Sequence, residues 1–359
     1  MPLPSPTACP TPERLSARLG ISHEAAEIYL SSVVIDLHIE SYSFYRSFGY
    51  DFRRRHGMGI NRALLFGQAD LPRLKEAGIQ GATFSITANP LRPEADRRAS
   101  FTHQLQELRA LLEGAEVPAR VVSDGAAFRR AVSEGLHAAF IGVQGANALP
   151  DDLTFLESIK DQILRITLLH MTDSVWGATS TPRPRFRDAG LTALGAELVE
   201  AMNHYRIGVD LAHIHPRGFW EAVRVHRTDL PLLVTHTGVQ GVHRHWRNLD
   251  DEQLRAIADS GGVVGIMLHA MYMGDGLLSG RAATVARHIE HTLSVVGEDH
   301  VAFGSDWDGL ICTPRDMPTC LELPVLVQAL LERRVSPQAI QKILGANFLR
   351  VVDQLRGDS

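Results

Sequence analysis

Cysteine is scarce in this chain of 359 residues: Cys9, Cys312 and Cys320 make three, an odd and widely spaced set. Such a set builds neither a disulfide framework nor a paired-cysteine zinc site, and it suits a reducing compartment, so a cytoplasmic location is expected. Long apolar runs are missing too. None approaches the roughly 18 residues of a membrane span, which argues against a membrane partner. The amino terminus, MPLPSPTACPTPERLSARLG, is proline-rich and lacks the apolar core of a secretory signal. Residues 1–14 read as a disordered lead-in, and residues 15–355 as one catalytic domain. Basic charge is not in excess: the formal net charge is -5 and the basic residues are scattered, which leaves no footprint for nucleic acid. A Gly-rich dinucleotide fingerprint after the first apolar run is also absent, which removes one reason to expect an open nucleotide-binding sheet. What remains, 45% hydrophobic and 21% charged residues, is the composition of an ordinary globular protein.

What the chain does have is a repeated ending. Seven short β-branched apolar runs each finish in a polar residue able to bind a metal or move a proton: VVIDLHIE (33–40), GATFSIT (81–87), AFIGVQG (139–145), RITLLH (165–170), IGVDLAH (207–213), PLLVTH (231–236) and VAFGSDWDG (301–309). An eighth run, GGVVGIML (261–268), has the same apolar body and a softer end. Strands apolar throughout are buried on both faces, as in a parallel sheet wrapped by helices. Segments of helical period that stop at Gly, such as DDEQLRAIADSG and TVARHIEHTLSVVG, separate the runs. The alternation predicts an α/β fold, a (β/α)8 TIM-type barrel, with an open doubly wound sheet as the alternative. The helix-like SHEAAEIYLSS would plug or flank the barrel, and PQAIQKILGANFLRVVDQL would close it. In a barrel the carboxyl ends of the strands share one mouth, so the repeated ending reads as one site. The irregular stretches 41–70 and 171–190 follow strand ends and are candidate substrate walls.

His38 and Glu40 stand two apart on a strand and leave on one face, a nitrogen and an oxygen donor suited to zinc or a similar divalent ion. His213 and His236 end neighbouring strands and could share a second metal. In GSDWDG, Asp306 and Asp308 supply carboxylates for moving a proton at a metal-activated water; a turn explains Asp308 equally well. His170 could polarise a carbonyl or hold an oxyanion, or simply pack. The basic loop HRHWRN (243–248) offers a guanidinium for a substrate carboxylate, against the alternative of a solvated turn, and RRRHG (53–57) is a second basic cluster for which solvation is the stronger reading.

Taken together, VDLAH, THTGV followed by WRNLDDEQL, FGSDWDG and the closing GANFLRV resemble the membrane dipeptidase (renal dipeptidase) family of the amidohydrolase superfamily, over about 33–355. The resemblance implies a (β/α) barrel with two zinc ions and hydrolysis of dipeptides or related small amides. It makes His213 and His236 ligands of one zinc and His38, with Glu40, of the other. His170 would polarise the scissile carbonyl, Arg247 grip the substrate carboxylate and Asp306 shuttle the proton. Two positions depart from the family pattern. Glu40 stands where an Asp is usual, and Gln144 in GVQGANAL stands where a glutamate bridges the two metals. A neutral amide lends one oxygen but cancels no charge, so the second zinc is expected to bind weakly or not at all. A variant hydrolase with one metal and a non-dipeptide substrate, or a noncatalytic binding homologue, therefore stays open. The expected partner is a small molecule or dipeptide; a homodimer is compatible with the sequence.

Overall fold

A computed structural model describes residues 10–58, 62–89, 93–182 and 189–357. At its centre β1 (Ile35–Ile39), β2 (Gly81–Thr87), β4 (His137–Gln144), β5 (Arg165–Thr167), β6 (Gly208–Asp210), β7 (Leu232–Thr237), β8 (Val263–Ile266) and β9 (Val301–Phe303) lie side by side in that order, all parallel. The last returns to the first: Glu40 N donates to Trp307 O at 2.8 Å, and Asp306 N to His38 O at 3.0 Å. Eight strands thus form a (β/α)8 barrel, as expected. Every residue of β1 and β4 is buried, which is why these strands read as unbroken apolar runs and not as alternating ones.

One strand was not anticipated. Ala119–Val121 forms β3, which pairs with the amino end of β4 outside the ring. Three residues, Ala-Arg-Val, are too few to display a period. Two boundaries are corrected as well. The helix Pro12–Leu19, with Thr11 at its amino cap and Pro at its start, places residues 12–14 in ordered structure, not in a lead-in; residues 1–9 lie outside the described residues. The stretch after β1 opens on a helix, Ser41–Phe48, ended by Gly49 in the left-handed conformation (φ 71°). Residues 59–61 and 183–188 of the two proposed walls lie outside the described residues.

The helix His23–Ser31 flanks the barrel, packed against the helix Pro324–Glu332. The closing segment runs through Pro337–Gln341 and Asn347–Arg356 with a kink at Gly345 between them. There the backbone passes so close to β1 that a Cβ would lie 2.5 Å from Val33 O, so only glycine fits. Phe348, Val351 and Val352 of this segment pack with Ile35, Leu37, Phe140, Leu233 and Ala302 of the strands. That packing leaves the carboxyl ends of the strands free to carry polar groups. Among the described residues no helix is long and apolar enough to cross a membrane.

Candidate metal centre

Three of the predicted donors converge from β4, β6 and β7. His213 Nε2 and His236 Nε2 are 2.8 Å apart, and the Gln144 amide nitrogen stands 3.2 Å from the first and 3.3 Å from the second. Donors held at about 2.0–2.1 Å around a tetrahedral ion stand roughly 3.3 Å from one another. The observed spacings therefore fit a divalent cation with only slight adjustment. His236 is set up as a ligand by its neighbours. Thr235 Oγ1 donates to the Asp210 carboxylate (2.7 Å), so it accepts from His236 Nδ1 (2.9 Å). That fixes the proton on Nδ1 and leaves the Nε2 lone pair facing the centre. Burial, with help from Arg247, holds both His213 and His236 well below the usual histidine range, so both rings are neutral. His213 has a left-handed backbone (φ 65°), pinned by Ser180 N (2.7 Å) and Thr179 Oγ1 (3.0 Å) donating to its carbonyl. Gln144 Oε1 is buried with no hydrogen-bond partner; turned over, the amide would present this oxygen to the centre.

A second group lies at the seam between β1 and β9. Glu40 Oε1 is 3.2 Å from His38 Nε2, and Asp306 Oδ1 is 3.5 Å from the same nitrogen. His38 Nε2 and Glu40 Oε1 are both buried without a hydrogen-bond partner, and His38, His236 and Asp306 offer donor atoms within 4.8 Å of one another. Glu40 is held by the hydroxyls of Ser43 and Thr87 on its other oxygen. Burial pushes the Glu40 carboxyl up, but the nearby His38 ring and the hydroxyls of Ser43 and Thr87 outweigh it and keep the group below its ordinary value. Asp306 goes the other way, raised well above the carboxylate range by burial and by the nearby Glu40 charge. Two carboxyl groups with opposite tendencies suit one anion and one proton carrier.

Both groups open into a cavity of about 330 Å³ lined by Glu40, Thr87, Gln144, His170, His213 and Asp306, with Phe44, Phe48, Met171 and Tyr272 among its apolar walls. The expected walls are thus represented by the helix Ser41–Phe48 and by Met171. His170 packs edge-on against the His213 ring at 4.9 Å, and burial lowers it to about 4. Arg247 turns inward from its loop: it is 3% exposed, donates from Nη2 to His236 O at 2.7 Å and keeps its Nε without a partner. Burial lowers the guanidinium to about 10. Asp308 is committed elsewhere, accepting from Gln68 N at 2.8 Å and from the Ser41 hydroxyl, so it ties the loop before β2 to the end of β9. Of the two readings of Asp308, its geometry supports the structural one. The cluster RRRHG is solvated, with Arg53 and Arg54 paired to Asp51 and Arg55 to Glu76.

Several residues at the centre were not singled out from sequence. Asp210 and Thr235 orient His236, Ser43 and Thr87 orient Glu40, and Arg165 donates to His38 Nδ1 at 2.5 Å. A signal existed for two of them. Arg165 and Asp210 are charges inside otherwise apolar runs, and a charge on a doubly buried strand is sustained only by partners.

Comparison with known proteins agrees with this geometry. The family model described as "Membrane dipeptidase (Peptidase family M19)" matches residues 22–357. A curated relative, "Uncharacterized protein in pqqA 5'region" of Klebsiella pneumoniae, is 37% identical over 166 residues, which is 45% of this chain and 60% of that protein. The chain therefore matches less than two thirds of this relative's length. Among solved structures, "dipeptidase AC, Metallo peptidase" is similar at 26% identity and a TM-score of 0.80, covering 91% of this chain and 100% of that one. A metallo peptidase from Rhodobacter sphaeroides, liganded with a phosphinate mimic of the dipeptide L-Ala-D-Ala, has the same fold at 24% identity and a TM-score of 0.75, covering 90% of this chain and 100% of that one. With the family model spanning nearly the whole chain and the metal donors gathered at the barrel mouth, this chain belongs to the membrane dipeptidase family, peptidase family M19.

Proposed function

We propose that this protein hydrolyses the amide bond of a dipeptide or a closely related small amide. The observation that carries the reading is the convergence of His213, His236 and Gln144 beside Asp306 and His170 in one cavity. The residues that would hold metal are His213, His236 and Gln144; His38 and Glu40 stand beside them at the seam between β1 and β9. Bound there, a divalent cation such as zinc supplies Lewis acidity, polarising the amide carbonyl and making water a nucleophile at neutral pH. Asp306 accepts the proton of the attacking water, which its raised affinity for protons favours, and delivers it to the departing amine. His170, neutral at pH 7, donates an N–H to the carbonyl oxygen as negative charge grows on it. Arg247 holds a substrate carboxylate through the donors that His236 O leaves free. The 26% identity to a dipeptidase supports the substrate class. Gln144 favours a second reading, a variant that acts on another small amide with a weakened metal site. The buried free thiols of Cys312 and Cys320 support a reducing, cytoplasmic setting.

The test is a dipeptide panel assayed with protein prepared without chelator. Release of amino acids that stops on chelation and returns with zinc supports the reading. Metal-loaded protein that leaves every dipeptide and simple amide intact overturns it.

A further inference from the structure

Beside His38 the barrel carries a fixed cation. Arg165 is fully buried, and its guanidinium is held at both terminal nitrogens, though not at Nε: Nη1 donates to Val143 O (3.0 Å) and Thr167 Oγ1 (2.7 Å), and Nη2 to Ser85 Oγ (2.9 Å). Asp210 Oδ2 lies 3.5 Å from Nη1. The strand beside it makes room, because a Cβ on Gly142 would stand 2.8 Å from both Cζ and Nε of Arg165. The remaining direction of Nη2 leads to His38 Nδ1, at 2.5 Å.

Arginine donates and never accepts. His38 Nδ1 is therefore the acceptor, and the one proton of the neutral ring sits on Nε2. That nitrogen makes no hydrogen bond, but its nearest polar neighbours are two carboxyl oxygens, Glu40 Oε1 at 3.2 Å and Asp306 Oδ1 at 3.5 Å, which suit an N–H better than a lone pair. His236 has the opposite arrangement, since Thr235 draws its proton to Nδ1. One histidine is prepared as a ligand and the other as a donor. Charge argues the same way: Arg165 is a fixed cation already set among Asp210, Glu40 and Asp306, and Gln144 adds no negative charge to offset a second ion.

We propose that the centre binds a single divalent cation through His213 and His236 with Gln144, and that the Arg165 guanidinium occupies the electrostatic place of a second ion. His38 then turns an N–H toward Glu40 and Asp306 and ligates nothing. The inference rests on the metal-dependent reading of this site but not on the identity of the substrate.

Elemental analysis and zinc titration of the full chain, prepared without chelator, test it. One zinc per chain is expected in the parent protein. His38→Gln should keep that zinc, and His236→Ala should lose it. Arg165→Met should raise uptake toward two per chain; because that variant removes a buried charge and can fail to fold, the parent and His38→Gln counts decide on their own. Two zinc ions per parent chain, or loss of zinc from His38→Gln, overturns the proposal while leaving amide hydrolysis standing. One zinc with no amide turnover does the reverse.

Discussion

Thr235 is the residue whose removal measures how the ligand histidine is prepared. In Thr235→Val the volume of the side chain is kept and only the hydroxyl goes. Asp210 remains satisfied, because its Oδ1 accepts the amides of Ala212 (3.1 Å) and Thr235 (3.0 Å) and its Oδ2 keeps Thr167 at 2.6 Å. The loss falls on His236, whose Nδ1–H is left without a partner on a side chain that has no exposure. An orphaned buried donor costs about 1–3 kcal/mol. The ring relieves that cost by moving its proton to Nε2 or by turning, and either movement removes the lone pair from the centre. Partners of this kind typically change metal affinity about 10–100-fold, or about 1.4–2.7 kcal/mol. Zinc affinity is read by competition with a chelator of known strength, and the fold is checked by denaturant unfolding of the metal-free protein. Thr235→Ser, which restores the hydroxyl, should recover most of the affinity. A Thr235→Val protein that is folded and binds zinc within twofold of the parent would refute the tautomer argument.

Asp306→Asn keeps the shape of the proton carrier without its chemistry, and should lower turnover by about 10²–10⁴-fold while zinc content stays at the parent value; turnover within a few-fold of the parent would remove Asp306 from that role. His137 gives a pH signature remote from the centre. Burial lowers it from 6.5 to about 4, with Nδ1 bound to Ile79 O at 3.1 Å. The unfolded chain then takes up a proton that the folded one refuses, so stability is complete above pH 6.5 and is lost as pH falls toward 4, at about 1.4 kcal/mol per unit at most. His137→Gln should flatten unfolding free energy between pH 6.5 and 4 by about 3 kcal/mol, and an unchanged slope would count against the buried neutral ring.

The barrel was legible because its strands are buried on both faces: eight apolar runs need no knowledge of their neighbours to be recognised as strands. β3 escaped because three residues at the edge of β4 carry no run of their own. The helix Ser41–Phe48 escaped because it starts directly after β1, with no side-chain cap at Glu40 to announce it. At the site, His38 with Glu40, and His213 with His236, were readable from strand endings, since those endings share one mouth in any such barrel. Asp306 was favoured over Asp308 as nearer the strand, but the role of Asp308 stayed even: both carry φ near 60° in the same turn (63° and 65°), and the partners Gln68 and Ser41, brought in from elsewhere in the chain, assign Asp308 to support. Arg165 shows the same limit: its position in a run was plain, but the Gly142 hollow that turns its guanidinium toward His38 exists only once β4 and β5 are paired.

The seam between β1 and β9 bears on how this protein comes to be assembled. Ser305 N reaches Asp36 Oδ1 across 269 residues of chain, and Asp306 N reaches His38 O beside it. Contacts so distant in sequence form late, because the entropy of closing the intervening loop is met before they return anything. The proton carrier and the Glu40 anion therefore come together only when the ring shuts, whereas His213 and His236, on adjacent strands, meet earlier. During synthesis both histidines precede β9 by more than 60 residues, so the chain carries its principal metal donors before the group that moves the proton is made.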